Sequence, residues 1–296
     1  MPDQRPVPRE EARVLPAVST LLEQATSAYH ARLFADQEGV VLVTQHGFAV
    51  FRSGEAPEEH PLPLGPVAVR QNGSVVFWRA GWLRQVSLGT GQDRPLVALE
   101  RAPQYLLASE RRLAWIDGDE KTRASLQTMS GDGVRVVAQS EDRVGAAVLR
   151  DAVMYWVLQS RDGSWKIGSI GLDGQHRMLT AAHQGRPPAM LALGPDGVYF
   201  YDGPERGLRR LSFELDREDA VATGVICSPL VVSNRAICAQ VGGLFDVPPG
   251  GTQPRFLASE RAGPVTALAA TDEHVWWVAE SGDEHLVVRT AVLARP

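Results

Sequence analysis

Short runs of β-branched and aromatic residues recur along the whole chain, each broken by turn-forming pairs, and this pattern predicts strands rather than helices. The clearest runs are Val40-Val41-Leu42-Val43, Val75-Val76-Phe77-Trp78, Leu113-Ala114-Trp115, Val153-Met154-Tyr155-Trp156, Val198-Tyr199-Phe200-Tyr201, Ala236-Ile237-Cys238-Ala239 and Val275-Trp276-Trp277. Between them lie Asn72-Gly73, Asp117-Gly118, Asp132-Gly133, Asp162-Gly163, Asp173-Gly174 and Asp196-Gly197, pairs that tolerate the positive φ of tight hairpin turns. Such turns join antiparallel neighbours only, so the chain reads as all-β and meandering.

A second pattern sets the period. An arginine followed by aliphatic and small residues recurs at Arg13, Arg94, Arg135, Arg177 and Arg255, with separations of 81, 41, 42 and 78. These are one or two copies of a unit of roughly 40 residues, the length of a propeller blade. Seven such units fit, each of four strands, at approximately 30–64, 65–101, 102–142, 143–184, 185–225, 226–261 and 262–296. In the second, the strands are expected at 66–71, 74–79, 82–88 and 94–99.

The seventh unit is one strand short, because the chain ends after strands at 265–271, 274–279 and 285–292. Residues 12–18 carry the fourth-strand motif but precede any first strand, so they supply the missing piece. The fold class is therefore a seven-bladed β-propeller closed by its N-terminal strand, which removes the open edge of an unclosed array. Residues 1–11 are expected to be a flexible leader. Over 19–32, Thr20-Leu21-Leu22-Glu23 has capping-box spacing and Ala25, Ala28 and Ala31 follow, which predicts a short helix.

Composition narrows the class. With 296 residues, 44% hydrophobic, the chain can bury a core without disulfides or a structural metal. The net charge of −5 and the lack of a basic tail exclude non-specific nucleic-acid binding. No apolar run reaches the roughly 18 residues of a membrane span, and the N-terminus lacks an apolar signal core. The expected compartment is the cytoplasm, or the periplasm or exterior for a processed chain. Cys227 and Cys238 fall on neighbouring strands out of register for a bridge, so both are expected as buried free thiols. Only Lys121 and Lys166 among the 30 cationic residues are lysines, an arginine skew that fits a GC-rich, bacterial genome.

The segment Gly-Pro-Val-Thr-Ala-Leu-Ala-Ala-Thr-Asp-Glu-His-Val-Trp-Trp at 263–277, with Val-Pro-Pro-Gly-Gly-Thr-Gln-Pro-Arg-Phe-Leu-Ala at 247–258 before it, resembles the blade repeat of bacterial TolB-like or YVTN-like propellers. The likeness spans nearly the whole chain as architecture. It implies a fold and a broad habit of binding, not an activity.

No nucleophile-elbow, Walker, dinucleotide or metalloprotease motif occurs, the seven histidines are never at paired ligand spacing, and there is no Cys-x-x-Cys. No cofactor is expected. Propeller sites assemble one residue per blade, so two rings deserve weight. The turns after the first strands offer Asp36, Asn72, Glu110, Asp151, Asp196, Asn234 and Asp272. Asx side chains cap their own turns, which explains them structurally, whereas Asp36, Asp151, Asp196 and Asp272 form the alternative, an axial divalent-cation site of a lyase- or lactonase-like enzyme.

The opposite ring lies in the connectors into each first strand: Arg32, Arg101, Arg143, Arg186 and Arg261, with Tyr29, His30, Gln104 and Tyr105. Converging guanidinium groups suit a carboxylate, a phosphate or an acidic peptide segment, although Glu100, Glu141, Asp142 and Glu260 stand beside them as ion-pair partners. Trp78, Trp115, Trp156, Tyr201 and Trp277 occupy one strand position and are expected between blades. Trp82 and Trp165, each following a loop, are the more exposed aromatic candidates. The function expected is a non-catalytic scaffold binding a protein or peptide partner through one face, with an anionic small-ligand sensor as a further alternative.

Overall fold

The computed structural model describes residues 18–25, 31–36, 39–52, 55–62, 67–118, 123–130, 133–247, 253–281 and 285–293. Among the described residues, twenty-eight strands form seven four-stranded antiparallel sheets. The first blade is β2 (Arg32–Asp36), β3 (Gly39–Thr44), β4 (Gly47–Phe51) and β5 (Glu58–His60). The second is β6 (Ala68–Gln71), β7 (Ser74–Arg79), β8 (Trp82–Ser87) and β9 (Asp93–Ala98), within a residue or two of the expected strands. The third comprises β10 (Tyr105–Ala108), β11 (Leu113–Asp117), β12 (Ala124–Ser130) and β13 (Gly133–Ser140). The fourth comprises β14 (Arg143–Arg150), β15 (Val153–Gln159), β16 (Trp165–Gly171) and β17 (Met178–Leu179).

In the fifth blade, β18 (Leu191–Leu193) and β19 (Val198–Tyr201) are followed by a single helical turn, α1 (Gly203–Arg206), then β20 (Leu208–Leu211) and β21 (Glu218–Ala222). The sixth is β22 (Leu230–Val232), β23 (Ala236–Gln240), β24 (Gly243–Val247) and β25 (Arg255–Ser259). The seventh orders β26 (Val265–Ala270), β27 (His274–Ser281), β28 (His285–Val292) and, outermost, β1 (Val18–Ala25). Within each blade the chain runs from the axis outward. First strands of successive blades touch one another around a closed ring, from β2 through β26 and back to β2.

Closure by the N-terminal strand is as expected, but the residues differ. β1 pairs Val18 with Ala291 and Ala25 with His285, with a bulge between Thr20 and Leu22. The stretch read as the start of a helix is therefore the closing strand itself over 18–25. β28 presents eight residues of backbone that need partners, and this demand outweighs the local helical signal. Residues 1–17, including the Arg13 motif and the expected flexible leader, lie outside the described residues, as do 26–30.

Among the described residues, seven hydrophobic clusters lie between blades rather than within them. Val41, Phe48 and Phe77 join the first and second, Trp115 and Leu83 the second and third, and Trp156 and Ile116 the third and fourth. Trp165 and Phe200 join the fourth and fifth, Tyr199 and Cys238 the fifth and sixth, Trp277 and Leu244 the sixth and seventh, and Trp276 and Leu42 the seventh and first. The recurrent aromatics of the second strands sit here, with Trp115, Trp156 and Trp277 fully buried. Large flat rings fill the gap between twisted sheets, so the aromatic position is a packing position. The Asn72-Gly73 hairpin has φ of 43° and 64°, the left-handed pair that a tight two-residue turn requires.

The cysteines correct the expectation of free thiols. Cys227 and Cys238 form a disulfide, with Cα atoms 4.5 Å apart. The register argument placed Cys227 on a regular strand, whereas β22 begins only at Leu230, opposite Cys238. Ahead of it, Ser228 N–H and Pro229 C=O both bond Ala239, so two residues oppose one and the chain brings Cys227 over Cys238. The bridge is buried, at 1% and 0% exposure.

Candidate functional site

Antiparallel order dictates which loops share a face. The connectors entering each first strand lie on the same side as the turns between second and third strands. Arg32, Tyr105 and Arg143 are the opening residues of β2, β10 and β14, and therefore surround the axis at this face from the first, third and fourth blades. β14 pairs with β15 through Val144 and Ala146 but skips Gly145, a bulge that frees backbone acceptors. Two side chains of the third blade use them. Gln104 Nε2 donates to Val144 O at 3.0 Å, and the Tyr105 hydroxyl donates to Gly145 O at 2.6 Å.

The electrostatics follow from this placement. Burial pushes the Tyr105 phenol above its ordinary value, while the nearby Arg143 and Arg32 charges oppose the shift. Arg32 reaches solvent, yet the protein around it partly desolvates its guanidinium and lowers it from the usual range. Two cations from opposite parts of the ring thus act on one phenol at the mouth.

The remaining arginines are distributed differently. Arg101 Nε bonds Asp117 Oδ1 at 2.6 Å over a cavity of about 300 Å³ that Trp115 and Pro103 also line, between the second and third blades. Arg186 and Arg261 are exposed in their connectors. Glu260, expected as a partner for Arg261, turns inward: it accepts from Trp277 Nε1 at 2.6 Å and pairs with Arg289 at 3.4 Å. Glu141 pairs with Arg123. Tyr29 and His30 lie outside the described residues.

Trp82 opens β8 directly after the Ala80-Gly81 turn and is 43% exposed, on the same face as the mouth. Ile226 in the connector before β22 and Val241 in the β23–β24 turn are exposed there too. Trp165, the other aromatic read as exposed, is instead completely buried. The connector following β17 folds back over it, so that His183 exchanges backbone hydrogen bonds with Trp165 and stacks its ring on the indole at 4.2 Å. A loop before a residue says nothing about a loop arriving later in the chain.

On the opposite face the turn residues bond to neighbouring blades. Gln71 Nε2 donates to Ser109 O and Arg112 O at 3.1 and 2.9 Å, the Asn72 amide to Glu110 O, and Ser109 Oγ to Asp151 O at 2.7 Å. Asp196 accepts from the Tyr199 hydroxyl at 2.8 Å and pairs with Arg210. Asp151 and Asp272 are exposed, and Asp36 closes β2. Among the described residues, the one trio with metal-ligating atoms drawn together lies elsewhere: His183, Asp202 and Glu218, at the boundary of the fourth and fifth blades. Local motif reading missed it because its members are 19 and 16 positions apart on three different segments.

No family model and no curated protein matches the chain. Solved structures do match its fold. U3-55K aligns with a TM-score of 0.67 at 10% identity, over 93% of this chain and 98% of that one. The Neurospora crassa Pan2 WD40 domain aligns at 0.65 and 11%, over 94% and 96%. The computationally designed Ika8 protein aligns at 0.63 and 16%, over 93% and 98%. At these identities the likeness establishes the seven-bladed propeller and nothing finer. The TolB-like and bacterial readings gain no support from it. Among the described residues no helix is long and apolar enough to cross a membrane.

Proposed function

We propose that the chain is a non-catalytic binding or scaffolding propeller that engages a protein or peptide partner through the face on which its first strands begin. The observation that carries this reading is the convergence of Arg32 and Arg143 on Tyr105 at the axial mouth. Cations there, with Trp82, Ile226 and Val241 exposed on the same face, suit a partner with an acidic segment flanked by apolar residues. A WD40 propeller among the structural neighbours is consistent with a scaffold. The buried Cys227–Cys238 bridge supports work in an oxidising compartment rather than the cytoplasm.

Fluorescence anisotropy with a labelled octaglutamate peptide, against an octalysine control, tests the reading. The acidic peptide alone should bind, more weakly as salt rises, and the Arg32→Ala/Arg143→Ala double variant should lose at least about tenfold in affinity. Equal binding of both peptides, or an unaffected double variant, would exclude the mouth as the binding site.

A further inference from the structure

We propose that His183, Asp202 and Glu218 form a binding site for one divalent transition-metal ion, with zinc the best fit, at the boundary of the fourth and fifth blades. One ligand atom from each lies within 4.8 Å of the other two. The side chains are 12%, 6% and 21% exposed, so the group is sheltered but reachable from solvent. One imidazole and two carboxylates are a hard-to-borderline donor set, suited to zinc or manganese and poor for calcium, which takes oxygen ligands alone.

Each ligand is held by something other than its neighbours in the trio. The His183 ring stacks on Trp165, and its backbone is paired to Trp165 in both directions. Glu218 Oε1 is fixed by Arg209, from Nε at 2.9 Å and Nη2 at 2.8 Å. That leaves Oε2 facing His183 Nε2 at 3.6 Å, too far for a hydrogen bond. Asp202 Oδ2 is paired with Arg206 at 3.1 Å, one turn along α1. Two ligands on a common zinc ion at about 2.1 Å stand about 3–3.5 Å apart, so modest side-chain rotations close the site. The arginines take the place of the outer partners that orient metal ligands elsewhere.

A bound ion would tie three segments together: the connector after β17, the turn that carries α1, and the start of β21. It would fasten the fifth blade to the fourth beside β17, an outer strand of only two residues. Three protein ligands leave at least one coordination position for water or a partner's side chain.

The test uses the full chain, stripped with EDTA and exchanged into a non-chelating buffer. Isothermal titration with zinc chloride should show one ion per chain, and Tm should rise with zinc concentration. Calcium should do neither. His183→Phe keeps the stack on Trp165, and Asp202→Asn and Glu218→Gln keep shape and part of the hydrogen bonding. Each variant, confirmed folded by circular dichroism, should weaken zinc at least about tenfold. Cobalt(II) in place of zinc should give a visible absorption band that His183→Phe abolishes. Absence of zinc uptake by the parent chain overturns the proposal, as do variants that bind zinc as tightly as the parent.

Discussion

Arg235 Nη1 stands 3.3 Å from Asp246 Oδ2 in the interior of the sixth blade, with both residues buried. Arg255 approaches the same oxygen from the solvent side at 3.2 Å. Taking one member away leaves the other charged, dehydrated and poorly compensated, which costs more than the pair contributes when intact. Arg235→Met should therefore lower unfolding free energy by about 3–5 kcal/mol in urea melts. The Arg235→Met/Asp246→Leu double variant should recover much of the loss. A single variant within about 1 kcal/mol of the parent would show that Arg255 alone satisfies the carboxylate.

Gly168 in β16 lies under Trp156. A Cβ placed there would meet the indole Nε1 at 2.6 Å and Leu179 Cδ2 at 2.9 Å. The ring is locked between blades and cannot step aside cheaply, so Gly168→Ala should cost about 1–3 kcal/mol by overpacking, although alanine ordinarily favours folding over glycine. Thermal melts read the sign directly: a rise in Tm would mean that the cluster around Trp156 yields.

The Cys227–Cys238 bridge closes a short loop across the start of the sixth blade. Under denaturing, non-reducing conditions the chain should take up no iodoacetamide, and after reduction it should take up two equivalents. Cys227→Ser/Cys238→Ser should be less stable by about 2–4 kcal/mol. Quantitative labelling without reductant would return both residues to the free-thiol state.

Tyr199 gives an alkaline signature. Burial, then the hydrogen bond to Asp196, raises its phenol to about 12. The folded chain keeps this proton where the unfolded chain, titrating near the ordinary value of about 10, has released it. Stability from this group is complete below about pH 10 and is lost as pH rises towards and through 12. Denaturant melts between pH 9 and 12 should show a steeper decline for the parent than for Tyr199→Phe. Parallel slopes would remove Tyr199 from the account.

Architecture was legible in the sequence because a propeller repeats its requirements. Most blades place an aromatic of the second strand between sheets, and four carry an Asx-Gly pair at a turn, so Trp115, Trp156 and Trp277 recur at one place and the period is readable. The closing strand was legible in kind but not in position, since Thr20-Leu21-Leu22-Glu23 is locally helical and only β28 makes it a strand. The disulfide was hidden by a two-against-one irregularity at Ser228 and Pro229 that strand alternation cannot foresee. At the candidate face, Arg32, Arg143, Gln104 and Trp82 could be named because each sits at a repeating loop position. His183, Asp202 and Glu218 have no such position, and only the packing of two adjacent blades brings them together.

The pairing of β1 with β28 joins residues 260 to 273 positions apart in the chain. On a ribosome, β1 emerges ahead of the other described strands and waits until β28 has been made before it finds its partner. At about 5–20 residues per second that delay is on the order of tens of seconds. Six sheets can form in order as their hairpins emerge, but the ring stays open, with β1 unpaired, until β28 arrives. The nascent ring is thus exposed to wrong pairing along β1 until β28 has been made.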